Sequence, residues 1–133
     1  MSPELVMFNF QTGRIVDGLA FIGTIIAIWL ALRIANMTGE NPESNIIAKI
    51  VSTGFGACVV IGSYQAYTFA ANTFIITARR IQENIEAAPN PEAAQNSIDF
   101  VGTTEPSMTP TPLGIAFLAI VSLMIVTLIW VPR

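Results

Sequence analysis

Residues Ile50 to Ala78 read IVSTGFGACVVIGSYQAYTFAANTFIITA, a run without one charged side chain. At 1.5 Å per residue such a run makes an α-helix about 44 Å long, against a bilayer hydrocarbon core of about 30 Å. Good helix formers continue through Arg79, Arg80, Ile81 and Glu83 to about Ala88 and stop before Pro89. The stretch 45–88 is therefore expected to be a membrane helix that overshoots the bilayer, with Tyr64 and Tyr67 near one interface and Asn72 to Glu86 outside it.

Working outward, Asn36 to Ser44 is polar and holds Gly39 and Pro42, so 36–44 reads as a short loop that ends one helix and delays the next. Segment 15–35 reads as a first span, with Gly18 to Leu32 uncharged between Asp17 and Arg33; Arg33 can lift its charge along an apolar stem, and Trp29 suits an interfacial belt. Two helices on so short a link are expected to form an antiparallel hairpin. Residues 1–14 read as a preceding segment. Glu4 comes before any cation and the first apolar run has no small-residue cleavage site, so no secretory signal is expected there.

Downstream, 89–112 carries five prolines with several Thr and Ser, and reads as an extended Pro/Thr-rich loop in which Asn90-Pro91-Glu92 can start one short helical turn. Segment 113–131, charge-free and closed by Trp130, reads as a third span and an ordinary anchor. The expected fold is all-α: a single membrane domain with three transmembrane helices, in which Trp29 and Trp130 share one belt.

Composition agrees. Of 133 residues, 53% are hydrophobic and 11% charged, where soluble domains carry about a quarter charged. The mean hydropathy is +0.62. A net charge of -3 excludes nucleic-acid partners, which require clustered Lys and Arg. Arg14, Arg79 and Arg80 fall on one side of the spans and Arg33, Lys49 and Arg133 on the other, a tie in the positive-inside count; the Arg79-Arg80 doublet points to a cytoplasmic N-terminus.

Small residues recur every four positions on two spans: Gly23, Ala27, Ala31 and Ala35 on the first, Gly54, Cys58, Gly62, Ala66 and Ala70 on the second. In lipid, helices associate by close backbone approach, which small side chains permit, so both stripes are expected to pack against helices. Cys58 is read there as a small packing residue. Gln65, Thr68 and Asn72 form a polar edge expected to hydrogen-bond between helices, since unpaired amides are costly in hydrocarbon. In the extension, Phe74, Ala78, Ile81 and Ile85 share one face at helical spacing and read as a docking face for a partner or for the chain itself.

The chain has no histidine and one cysteine. It therefore lacks within itself the residues for Ser-His-Asp catalysis, His-based metal sites, His-ligated haem or thiolate clusters. Gly54-Phe55-Gly56 lacks the further glycine and lysine of a phosphate loop, and the acidic residues are scattered through polar segments. No catalytic residues, metal or resident cofactor are expected beyond bound lipid. The expected function is a non-catalytic accessory or structural subunit of a multi-subunit integral membrane complex, with other membrane subunits and membrane lipid as partners. A self-assembling holin-like pore or small channel, and a subunit of a hydrophobic helical filament, are the alternatives.

Overall fold

The computed structural model describes residues 2–133. Its helices are α1 (Pro3–Glu40), α2 (Ile46–Glu83), α3 (Pro91–Val101) and α4 (Pro112–Trp130), with one 3₁₀ turn at Ile85–Ala87. Three of them, α1, α2 and α4, are long and apolar enough to cross a membrane.

Local chemistry sets nearly every boundary. Ser2, Asn90 and Thr111 each precede a proline, and each side-chain oxygen accepts a backbone N–H three residues on: Leu5 at 3.2 Å, Ala93 at 3.1 Å and Gly114 at 3.3 Å. Proline at the first helical position forfeits only an N–H that would be unpaired anyway. Asn45 caps α2 in the same way through the Ala48 amide at 2.9 Å. Pro42 disfavours helical geometry at Asn41, which turns extended (φ -79°, ψ 113°) and stops α1. Gly102 stops α3 by taking the left-handed conformation (φ 82°), its N–H bonded to the Ile98 carbonyl at 3.0 Å.

Several boundaries differ from the sequence reading. Most of 1–14 is helix, because Ser2-Pro3 starts α1 twelve residues before the expected span; α1 also continues past Asn36 to Glu40. Segment 89–112 is not extended throughout. The Asn90-Pro91 start propagates into the eleven-residue α3, because Ile98 buries itself as the helix packs on α2.

α1 and α2 run antiparallel along their length. Phe10 meets Phe74 edge-on with ring centroids 5.4 Å apart, and Thr24 shares a 3.1 Å hydrogen bond with Tyr67. α4 lies against both, antiparallel to α2 and parallel to α1: Tyr67 stands beside Phe117, the Trp130 indole donates to Thr53 Oγ1 at 3.0 Å, and Arg133 pairs with Glu40 at 3.0 Å. Because α3 descends along the upper part of α2, the segment 91–130 forms a third column, interrupted between Gly102 and Thr111.

α4 is more than an anchor. Of the seven residues in the buried cluster, Leu118, Val121, Ile125 and Ile129 come from α4, against Ile28, Ala31 and Ala35 from α1. α2 contributes small or polar residues to the interior, Ser52, Gly56, Ser63 and Thr68. A Cβ added at Gly56 would lie 2.9 Å from Ile125 Cγ2, whereas at Gly54 and Gly62 it meets nothing within 4 Å. Gly56→Ala is therefore expected to lower stability by about 1–2 kcal/mol through overpacking. Gly54→Ala and Gly62→Ala are expected to be neutral or stabilising, since alanine is the better helix former. Unfolding midpoints of the three variants in one detergent check this; equal midpoints would remove the distinction.

Outside this seam the helices present large apolar side chains to their surroundings, among them Ile22, Ile47, Ile61, Phe69 and Leu123. A soluble monomer rarely leaves so much contiguous apolar surface in water.

Candidate functional site

The structure separates the two small-residue stripes. On α1, Ala31 and Ala35 are buried, Ala27 is half-buried and Gly23 is exposed. On α2, Gly54, Cys58 and Gly62 point outward, while Ala66 and Ala70 are half-buried. A step of four residues advances about 40° around a helix, so the series from Gly54 to Ala70 sweeps about 160° and cannot keep to one face. The face that α2 turns inward is instead carried by Ser52, Gly56 and Ser63. Cys58 is thus a free, exposed thiol rather than a buried packing residue.

The polar edge divides likewise. Thr68 turns its hydroxyl back to the Tyr64 carbonyl at 2.8 Å, and Gln65 is exposed. Asn72 makes a two-point clamp: its Nδ2 donates to the Ser107 carbonyl and its Oδ1 accepts the Ser107 N–H, each at 2.8 Å. This is the pairing one peptide group offers another, supplied by a side chain. It ties the 102–111 connector to α2 where no helix can do so.

Within the extension, Phe74 touches Phe10 and Arg14, Ala78 is 1% exposed, and Ile81 and Ile85 are half-buried. Phe74, Ala78 and Ile81 line a pocket with Met7 and Phe10 of α1 and Phe100 of α3. The docking face is therefore occupied largely by the chain's own α1 and α3. The N-terminal turns of α1, read as a separate segment, are what reach it.

The tryptophans do not share a level. A Cβ built on Gly39 falls on the Leu128 carbonyl, next to Ile129, so Trp130 lies level with the end of α1. Trp29 is ten residues back along α1, about 15 Å away. The Arg33 guanidinium stacks over the Trp29 ring at 5.4 Å from its centroid. Both side chains are exposed on the outer face of α1, and Arg33 forms no ion pair with any described residue.

Near the other end, α1, α2 and α4 enclose a lateral groove of about 560 Å³. Its walls include Phe21, Ile25, Tyr67, Ala71 and Phe117, and Arg14 stands at its upper end. Arg14 lies 4.6 Å over the Phe74 ring and 3.3 Å from Asp17 Oδ2.

Among the described residues no group of three or more His, Cys, Asp or Glu side chains is placed to hold a metal. No protein-family model, characterised protein or solved structure matches the chain. Three helices able to cross a membrane are consistent with a multi-pass membrane protein.

Proposed function

We propose that this chain is a non-catalytic structural subunit of an integral membrane complex, crossing the bilayer with α1, α2 and α4. The observation that carries the proposal is the Arg33–Trp29 pair. Measured from Gly39, at the level of Leu128, Arg33 sits six residues, about 9 Å, inside the apolar slab that α4 marks out. Its head points back over Trp29, away from the nearer end of the bundle, with no anionic partner among the described residues. A cation left facing hydrocarbon costs several kcal/mol, and such residues turn toward protein. The outer face of α1 is thus suited to another subunit that offers an acidic side chain or free carbonyls at that depth. The exposed Gly54, Cys58 and Gly62 give α2 a second surface for close helix approach.

Extraction at native expression level in a mild detergent should yield the chain in a larger assembly with other membrane subunits. A photo-crosslinking residue at Trp29 should label one of them. Arg33→Leu should weaken that association by at least about tenfold, because the partner's polar group is left buried and unpaired, while the bundle itself stays folded. Migration as a lone monomer would sink the proposal. A pure homo-oligomer that renders liposomes leaky would replace it with the pore reading.

A further inference from the structure

We propose that the groove between α1, α2 and α4 is a binding site for a glycerophospholipid, with the phosphate on Arg14 and an acyl chain lying along Phe21, Tyr67 and Phe117. The proposal rests on the membrane-spanning reading above, which sets the groove's depth and the solvent it opens to.

The groove is chemically two-ended. From Arg14 to Ile25 is eleven residues of α1, about 16 Å of helix. Among the described residues Arg14 is the only charged one that lines it, and the walls below are aromatic and aliphatic. The complementary ligand is an amphiphile with an anionic head and a long apolar tail. The volume of about 560 Å³ falls within the range of small-molecule sites.

Depth selects the same ligand. Gly114, in the first turn of α4, lies beside Tyr67, and Phe74 is seven residues further along α2. Arg14, stacked on Phe74, therefore stands about 7 Å beyond the start of the apolar α4 at Pro112, at headgroup height. Phe21 and Ile25, lower on α1, are 54% and 40% exposed, so the groove opens sideways to the surroundings of the bundle. A lipid can enter without passing through water.

Arg14 is also held ready for a phosphate. Its guanidinium is stacked on Phe74, and Asp17 engages it through Nη1 alone. A guanidinium has five N–H donors in a rigid fork, so Nε and Nη2 remain to grip two phosphate oxygens. Asp17, whose side chain is only 12% exposed, sits one turn further along α1 and holds the fork by that single contact. Tyr67 has its hydroxyl engaged by Thr24 and presents its ring to the groove.

The test is native mass spectrometry of the full-length chain in detergent, titrated separately with palmitoyl-oleoyl phosphatidylglycerol and with the diacylglycerol of the same chains. Wild type should bind the phospholipid about tenfold more tightly, the worth of one charge-assisted contact. Arg14→Gln should bring phospholipid affinity down to that of the diacylglycerol. Ala71→Trp, which fills the groove, should abolish binding of both; circular dichroism on each variant verifies that the helices persist. Equal binding of the two lipids by wild type, or an unchanged phospholipid preference in Arg14→Gln, overturns the site. Release of the chain from membranes by alkaline carbonate overturns the spanning reading itself, so the two failures are told apart.

Discussion

Gly39→Val should destabilise the bundle by about 3 kcal/mol or more, the upper range for overpacking a well-packed interface. Gly39 sits in the last turn of α1, and its Cα faces the α4 backbone so closely that a Cβ would occupy the position of the Leu128 carbonyl oxygen. The obstacle is main chain, so no rotamer change relieves it. α1 and α4 would have to part at the level where Ile129, 2% exposed, completes the core. Gly23→Val provides the control within the same helix, because a Cβ there meets nothing within 4 Å, and its midpoint should stay within about 0.5 kcal/mol of wild type. The readout is the midpoint of heat- or SDS-induced unfolding in a fixed mild detergent. A Gly39→Val protein that unfolds together with Gly23→Val would show that α1 and α4 do not meet there.

The second large effect is expected at Asn72. Asn72→Ala removes both hydrogen bonds to Ser107 and leaves the amide and carbonyl of a half-buried residue to find other partners, a cost of about 2 kcal/mol. The loss is expected to be local. The other hydrogen bonds around Ser107 lie within the connector, such as its hydroxyl donating to the Thr109 carbonyl at 3.0 Å, and these travel with it. Hydrogen exchange at the Ser107 amide should therefore accelerate by about 30-fold, the equivalent of that energy, while amides in the middle of α2 keep their protection. Asn72→Asp should recover part of the effect, because a carboxylate still accepts the Ser107 N–H but gives nothing to its carbonyl. Unchanged exchange in Asn72→Ala would mean the clamp holds nothing.

Gly39 and Asn72 also separate what the sequence carries from what the fold decides. Asn72 stands out in the sequence as an amide in an apolar run, a position that demands a partner; the need is legible, but Ser107, thirty-five residues away, is not. Gly39, beside Pro42, looks like a helix terminator, and only its closeness to α4 reveals a packing role. The stripe on α2 failed for a related reason. Four-residue spacing was visible at Gly54, Cys58 and Gly62, yet an equally small set at Ser52, Gly56 and Ser63 lay half a turn away, and nothing local ranks one above the other.

The sequence by itself determined the three long helices and the local caps that start or stop most of the helices, whereas α3 owes its length to packing on α2. Long charge-free runs can satisfy their backbone only as helices, and the Ser-Pro, Asn-Pro and Thr-Pro caps, Pro42 and Gly102 act through bonds spanning three or four residues. The tertiary structure decided which face of each helix turns inward. α4 is apolar on every side, as are long stretches of α1 and α2, so no contrast between polar and apolar residues marks the buried face. Shape decides instead: Gly39 and Gly56 admit the α4 backbone and Ile125, and that choice leaves Arg33, the outer stripe of α2 and the Arg14 groove facing outward.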